Sequence, residues 1–154
     1  MQRIKLEVFK KFFKKDLTGN EIDFLIALTY VQDNRGIARG VFYKDMMAVT
    51  GMSTQAFYDC KRSLEEKGII SVQRREQDYD ITLIGNDFSG YTEEDYHLGN
   101  VKYIRTNMKL FRDTNWKKLK PTQKLLVMDL VNINTASSMR TYRIARKKFV
   151  EKYT

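Results

Sequence analysis

Apolar positions along the chain recur with helical spacing over most of its length and with strand character in one short region. Ile4 to Phe13 is an amphipathic entry segment that fits either a strand or a helix. Ile22, Phe24, Leu25, Ile26, Leu28 and Val31 then make the next stretch apolar on all sides, the pattern of a central, buried helix. Thr18-Gly-Asn-Glu21 opens that helix as a capping box, in which a Thr side chain and a Glu three residues on satisfy free N–H groups reciprocally. Asp33 to Gly36 is a loop. Phe42 to Val49 predicts a second helix, with Met46, Met47 and Val49 on its apolar side. Phe57, Cys60 and Leu64, spaced i, i+3, i+7, are the buried stripe of a third helix over Thr54 to Lys67. Ile69 to Arg75 and Tyr79 to Ile84 are two strands around Glu76-Gln77-Asp78, a hairpin. The fold class expected is mainly α with a small β-hairpin, an α+β chain.

The junctions within residues 45–70 are the most specific feature. Gly51 permits the left-handed backbone that a tight inter-helix turn needs. Ser53 is a good N-cap. Gly68 ends the third helix, and Ile69 and Ile70 begin a strand. Helical phase turns Thr54, Gln55, Tyr58, Asp59 and Arg62 outward. Helix, Gly turn, capped helix and hairpin make a helix-turn-helix running into a wing, and the second helix of such a unit normally lies in the DNA major groove. Arg74 and Arg75 fall near the hairpin tip, where a cation can reach phosphate or a minor groove. The alternative for that pair is a polar edge that discourages strand pairing.

With these residues the chain resembles the winged helix-turn-helix family, most closely at Leu64-Glu-Glu-Lys-Gly-Ile-Ile70. MarR- and GntR-type regulators and the tandem winged-helix initiators of plasmid and phage replication share the pattern. The resemblance implies duplex DNA binding, with Lys and Arg on phosphates and Gln55, Tyr58 and Arg62 on base edges. Gln can bond adenine, and Arg guanine, in a bidentate way. Lys61 departs from the family pattern, which often has an apolar residue there; its stem must snorkel or the helix sits rotated. The candidate DNA-binding set is Thr54, Gln55, Tyr58, Asp59, Lys61, Arg62, Arg74 and Arg75.

Charge adds a polyanionic partner to the picture and locates it awkwardly. The 154 residues carry a formal net charge of +9. Residues 1–90 hold 14 Lys+Arg against 13 Asp+Glu, while residues 91–154 hold 14 against 6. The excess therefore lies away from the clearest motif. It suggests phosphate binding by the second half, or a solvated basic face. No apolar run approaches the ~20 residues of a membrane span, so no membrane partner is expected. Cys60 is the only cysteine, which rules out an internal disulfide and fits a reducing cytoplasm. His97, the only histidine, has no companion ligand. No P-loop, dinucleotide loop or zinc spacing is present. The expectation is a non-enzyme without cofactor.

The second half weakly repeats the first at a spacing near 102 residues. Val8-Phe9 is echoed by Leu110-Phe111, and Phe24 to Leu28 by Leu126 to Leu130. Phe42 to Thr50 is echoed by Ile144 to Tyr153. Pro121 stands where a helix can begin. The expected organisation is a winged helix-turn-helix domain over 1–88, a linker over 89–100, and a second, truncated or degenerate winged-helix-like domain over 101–154. On that reading the native chain is expected to continue past Thr154 with a second recognition helix and hairpin.

The function expected is sequence-specific binding of double-stranded DNA, as a plasmid- or phage-type replication initiator. A homodimer and replication proteins are further candidate partners. The alternatives are a bacterial transcription regulator, or a winged-helix protein-interaction module of a replisome or conjugation complex. The small basic excess of the first 90 residues favours the last of these.

Overall fold

The computed structural model describes residues 2–137, with side chains through residue 130. Its elements, in order, are β1 (Arg3–Lys5), α1 (Leu6–Phe12), α2 (Gly19–Val31), β2 (Ile37–Val41), α3 (Tyr43–Thr50) and α4 (Thr54–Glu66). β3 (Ile70–Arg74), β4 (Tyr79–Leu83), α5 (Glu93–His97), β5 (Tyr103–Arg105) and α6 (Pro121–Ser137) follow. Two 3₁₀ helices, Met108–Arg112 and Trp116–Lys118, join β5 to α6. The architecture is α+β, with helices around two small antiparallel sheets.

α2 is the axis of the core. Ile22, Phe24, Leu25, Ile26 and Leu28 are all buried, on every side of the helix. Its start is held by the capping box: Thr18 Oγ1 accepts from the Glu21 N–H at 3.1 Å, and Glu21 Oε1 accepts from the Thr18 N–H at 3.2 Å. Glu21 has a second task. Its carboxylate, 3% exposed, pairs with Lys67 Nζ at 2.9 Å, so the start of α2 is tied to the end of α4. Phe24 of α2 meets Phe57 of α4 at a ring separation of 5.6 Å. Burying Phe57 and Leu64 supplies about 1.5–3 kcal/mol each, which fixes which face of α4 turns inward.

The entry segment resolves into both of the forms its pattern allowed, three residues of strand and then helix α1. The loop after α2 leads into a strand that the periodicity did not signal. β2 pairs with β4, and the sheet order is β2-β4-β3. The register shifts between Ala38 and Val41, with Gly40 at φ 65°, and this bulge breaks the alternation a sequence reading depends on.

Along α3 the inward positions are Met46 and Thr50, one turn apart; Val49 is exposed, where an apolar-side position was expected.

The stretch expected as a linker carries structure. Thr92 and Asp95 form a capping box on α5. Asn86, just before it, is fully buried: Oδ1 accepts from the Lys5 N–H at 2.7 Å, and Nδ2 donates to Arg3 O and Gln32 Oε1, each at 3.0 Å. The Arg3 guanidinium lies 4.2 Å from the Phe88 ring centroid and 5.0 Å from that of Tyr96. Ile104, Trp116, Leu125 and Met128 share one hydrophobic cluster with the core of the first 88 residues. β5 pairs with β1, Ile104 opposite Ile4. α6 begins at Pro121 as α2 begins at Gly19, the offset of the repeat. The echo of Phe42 to Thr50 at Ile144 to Tyr153 lies outside the described residues.

Candidate nucleic-acid interface

α4 and the hairpin that follows it carry all eight candidate residues. The helix is preceded by a turn built from local bonds. Gly51 sits at φ 76° and its N–H donates to Met47 O at 2.8 Å, closing α3. Ser53 has extended backbone, and its Oγ accepts from the Ala56 N–H at 3.1 Å. Met52, between the two, is buried. The polar face of α4 then projects from a frame fixed by Phe57, Cys60 and Leu64.

Thr54, Gln55, Tyr58, Asp59 and Arg62 are exposed, as helical phase requires. They are not independent. Gln55 Nε2 donates to Asp59 Oδ1 at 2.9 Å, and Arg62 Nη2 donates to the same oxygen at 3.3 Å. One carboxylate thus gathers the two side chains best able to read bases. Both bonds are solvent-exposed and span three or four residues, so releasing them costs about 0–1 kcal/mol each. Thr54 Oγ1 lies 3.3 Å from Met47 Sδ. The Tyr58 ring, 39% exposed, leans on Phe57 and Tyr43.

Lys61 is half-buried, with its ammonium 4.3 Å from the ring centroid of Tyr79 on β4. Its stem snorkels, and the helix keeps the phase set by Phe57, Cys60 and Leu64. A cation held over the ring of Tyr79 ties α4 to the hairpin.

In the hairpin, Arg74 pairs in register with Tyr79, and the Arg75 N–H donates to Asp78 O at 2.9 Å to close the turn. Arg74 is exposed and makes no ion pair among the described residues. Arg75 points back: its Nε and Nη2 reach Asp80 Oδ2 at 2.9 and 2.8 Å. The backbone N–H of Gly40 and the Arg75 guanidinium hold the Asp80 carboxyl below its ordinary range. Sequence gave no sign of this difference between adjacent arginines, because it depends on which face of β4 carries Asp80.

A second anchor involves residues that the periodicity did not single out. Trp116, 2% exposed, donates its indole N–H to Asp23 Oδ1 at 2.8 Å. Lys124 Nζ, also buried, lies 3.0 Å from that oxygen and 5.0 Å from the centre of the Trp116 ring. The pair and the indole dock the 3₁₀ helices and α6 on α2. Beside them is an open cleft of about 350 Å³ between the start of α2, the α3–α4 turn and residues 117–124.

No helix among the described residues is long and apolar enough to cross a membrane. No family model matches the chain, and no solved structure matches it. Over 52 residues, 34% of the chain, it is 42% identical to Protein F-93 of Sulfolobus spindle-shape virus 1. That match covers 55% of the viral protein, so the chain spans about half the length of the curated relative it matches.

Proposed function

We propose that the chain is a winged helix-turn-helix protein that binds duplex DNA with sequence preference. The observation that carries this reading is α4: Ser-capped, buried on one stripe, exposed and polar on the other, and followed directly by an antiparallel hairpin with Arg74 free at its rim. The order α2–β2–α3–α4–β3–β4 and the sheet order β2-β4-β3 support it, since they leave α4 and the hairpin side by side. α4 enters the major groove. Gln55, Tyr58 and Arg62 meet base edges there once Gln55 and Arg62 leave Asp59. Arg74 reaches phosphate. Among the roles implied by the family resemblance, we favour origin binding by a plasmid- or phage-type initiator. The support is the second strand-and-helix set, β5 and α6, at the repeat's offset.

The near balance of charge in residues 1–90 favours the rival reading, a winged-helix module that binds protein and little DNA. Selection from genomic DNA fragments with the purified full chain, followed by titration of the winners, separates the two. Arg62→Ala and Gln55→Ala should each weaken the selected site by ~1–3 kcal/mol and relax base preference. Absence of any enriched sequence, with no binding at low salt, would sink the DNA reading.

A further inference from the structure

The helix-turn-helix unit is short of cations. Residues 43–67 carry four Lys+Arg and four Asp+Glu. Of the four cations, Arg62 is paired with Asp59, Lys67 with Glu21, and Lys61 sits over Tyr79. A unit this balanced attracts little phosphate by itself, since non-specific DNA affinity comes from Lys and Arg that displace counterions.

The fold brings the missing charge from the other half of the chain. Lys117 Nζ lies 2.6 Å from where a Cβ on Gly51 would stand, so its ammonium rests on the turn that enters α4. Lys117 and Leu119 line the same cleft as Thr50, Gly51 and Met52. Lys118 and Lys120 flank them in sequence. All three lysines are exposed, and none forms an ion pair with a described residue. Residues 115–120, Asn-Trp-Lys-Lys-Leu-Lys, hold no acid. The segment is anchored by Trp116, whose indole N–H donates to Asp23 Oδ1 at 2.8 Å and whose ring centroid lies 5.0 Å from Lys124 Nζ.

We propose that Lys117, Lys118 and Lys120 form a phosphate-binding flank beside the α3–α4 turn, gripping the DNA backbone next to the groove that α4 enters. The inference rests on the DNA-binding reading above and names the source of its affinity. The turn before a recognition helix lies at the groove wall, where phosphates line up, whereas the first turns of the helix meet bases. The flank is therefore blind to sequence.

The test is fluorescence anisotropy with a labelled mixed-sequence duplex of about three helical turns. The full chain is compared with the triple variant Lys117→Gln/Lys118→Gln/Lys120→Gln over a salt series. The wild type should bind at low salt. The triple variant should lose at least about tenfold in affinity, and its log–log salt slope should fall by roughly 2–3. It should lose the same factor on a selected site. The triple Lys→Arg variant should bind like wild type, which separates lost charge from lost folding. Unchanged affinity and slope in the Gln variant, while Arg62→Ala still weakens binding, would overturn the flank and leave the DNA reading intact. A wild type that binds no duplex would overturn both.

Discussion

Arg75 and Asp80 are locked together across the hairpin, with both Nε and Nη2 of the arginine within 2.9 Å of one carboxylate oxygen. The neighbouring Arg74 has no such partner among the described residues. The two therefore differ in what they can offer to DNA. Arg74→Ala should weaken binding to all duplexes and lower the salt slope by about 1. Arg75→Ala should change affinity little and instead loosen the hairpin, seen as faster amide exchange at β3 and β4. Equal losses of affinity in the two variants would refute this division.

The same carboxylate gives the hairpin an acid limit. Asp80 titrates below the ordinary range because the Gly40 N–H and then the Arg75 guanidinium favour its charged form. A group depressed in the folded state adds stability above its unfolded pKa, near ~3.9, and loses it as pH falls through the folded value. Wild type should therefore exceed Asp80→Asn in stability from neutral pH down to about 4, and the gap should close below that. Denaturant midpoints measured across the acid range decide it; a gap that widens on acidification would be the wrong sign.

The buried pair Asp23–Lys124 is a sharper stability test. Asp23→Ala strands a cation that is 3% exposed and removes the Trp116 acceptor, and it should cost about 3–5 kcal/mol. Asp23→Leu with Lys124→Met removes both charges. It should recover all but the ~1–3 kcal/mol of the orphaned indole N–H. Urea unfolding of the two proteins checks this, and equal destabilisation in both would show that the charge is not the issue.

Asp59 holds Gln55 and Arg62 and places a negative charge on the proposed DNA face. Asp59→Ala should raise affinity for mixed-sequence duplex, since it frees Arg62 and removes repulsion from phosphate. It should raise affinity for the selected site as well, because Gln55 and Arg62 then reach base edges without first leaving Asp59. Competition titrations with the two duplexes report both effects. Weaker binding to mixed sequence would place Asp59 on a donor of the DNA instead.

Cys60 lies in the stripe that packs α4 on the core. Burial first, and then the carboxylates of Glu21, Asp59 and Asp23, push its thiol up to about 12. The native protein should resist iodoacetamide at about pH 8 and react once unfolded, as mass spectrometry would show. Rapid alkylation of the folded chain would mean that α4 detaches readily.

What the chain announced in advance is what depends on neighbours a few residues away. Ser53 with its acceptor role toward Ala56, the Thr18–Glu21 box, Gly51 in the left-handed region, and the Phe57–Cys60–Leu64 stripe are all settled within one or two helical turns. The sequence therefore determined α2, α3, α4 and the hairpin, and which face of α4 stays outside. Other features depend on partners that only folding brings together. β2 escaped notice because a bulge at Gly40 spoils its alternation and its partner strand lies some forty residues on. Asp80 chose Arg75 over Arg74 through the pleat of β4. The basic half of the chain is far in sequence from the α3–α4 turn, and Trp116, seated on Asp23, carries Lys117 to Gly51. Those long-range contacts were decided by tertiary packing, because burial of an indole and an ion pair rewards fit in space and leaves no periodic mark in the chain.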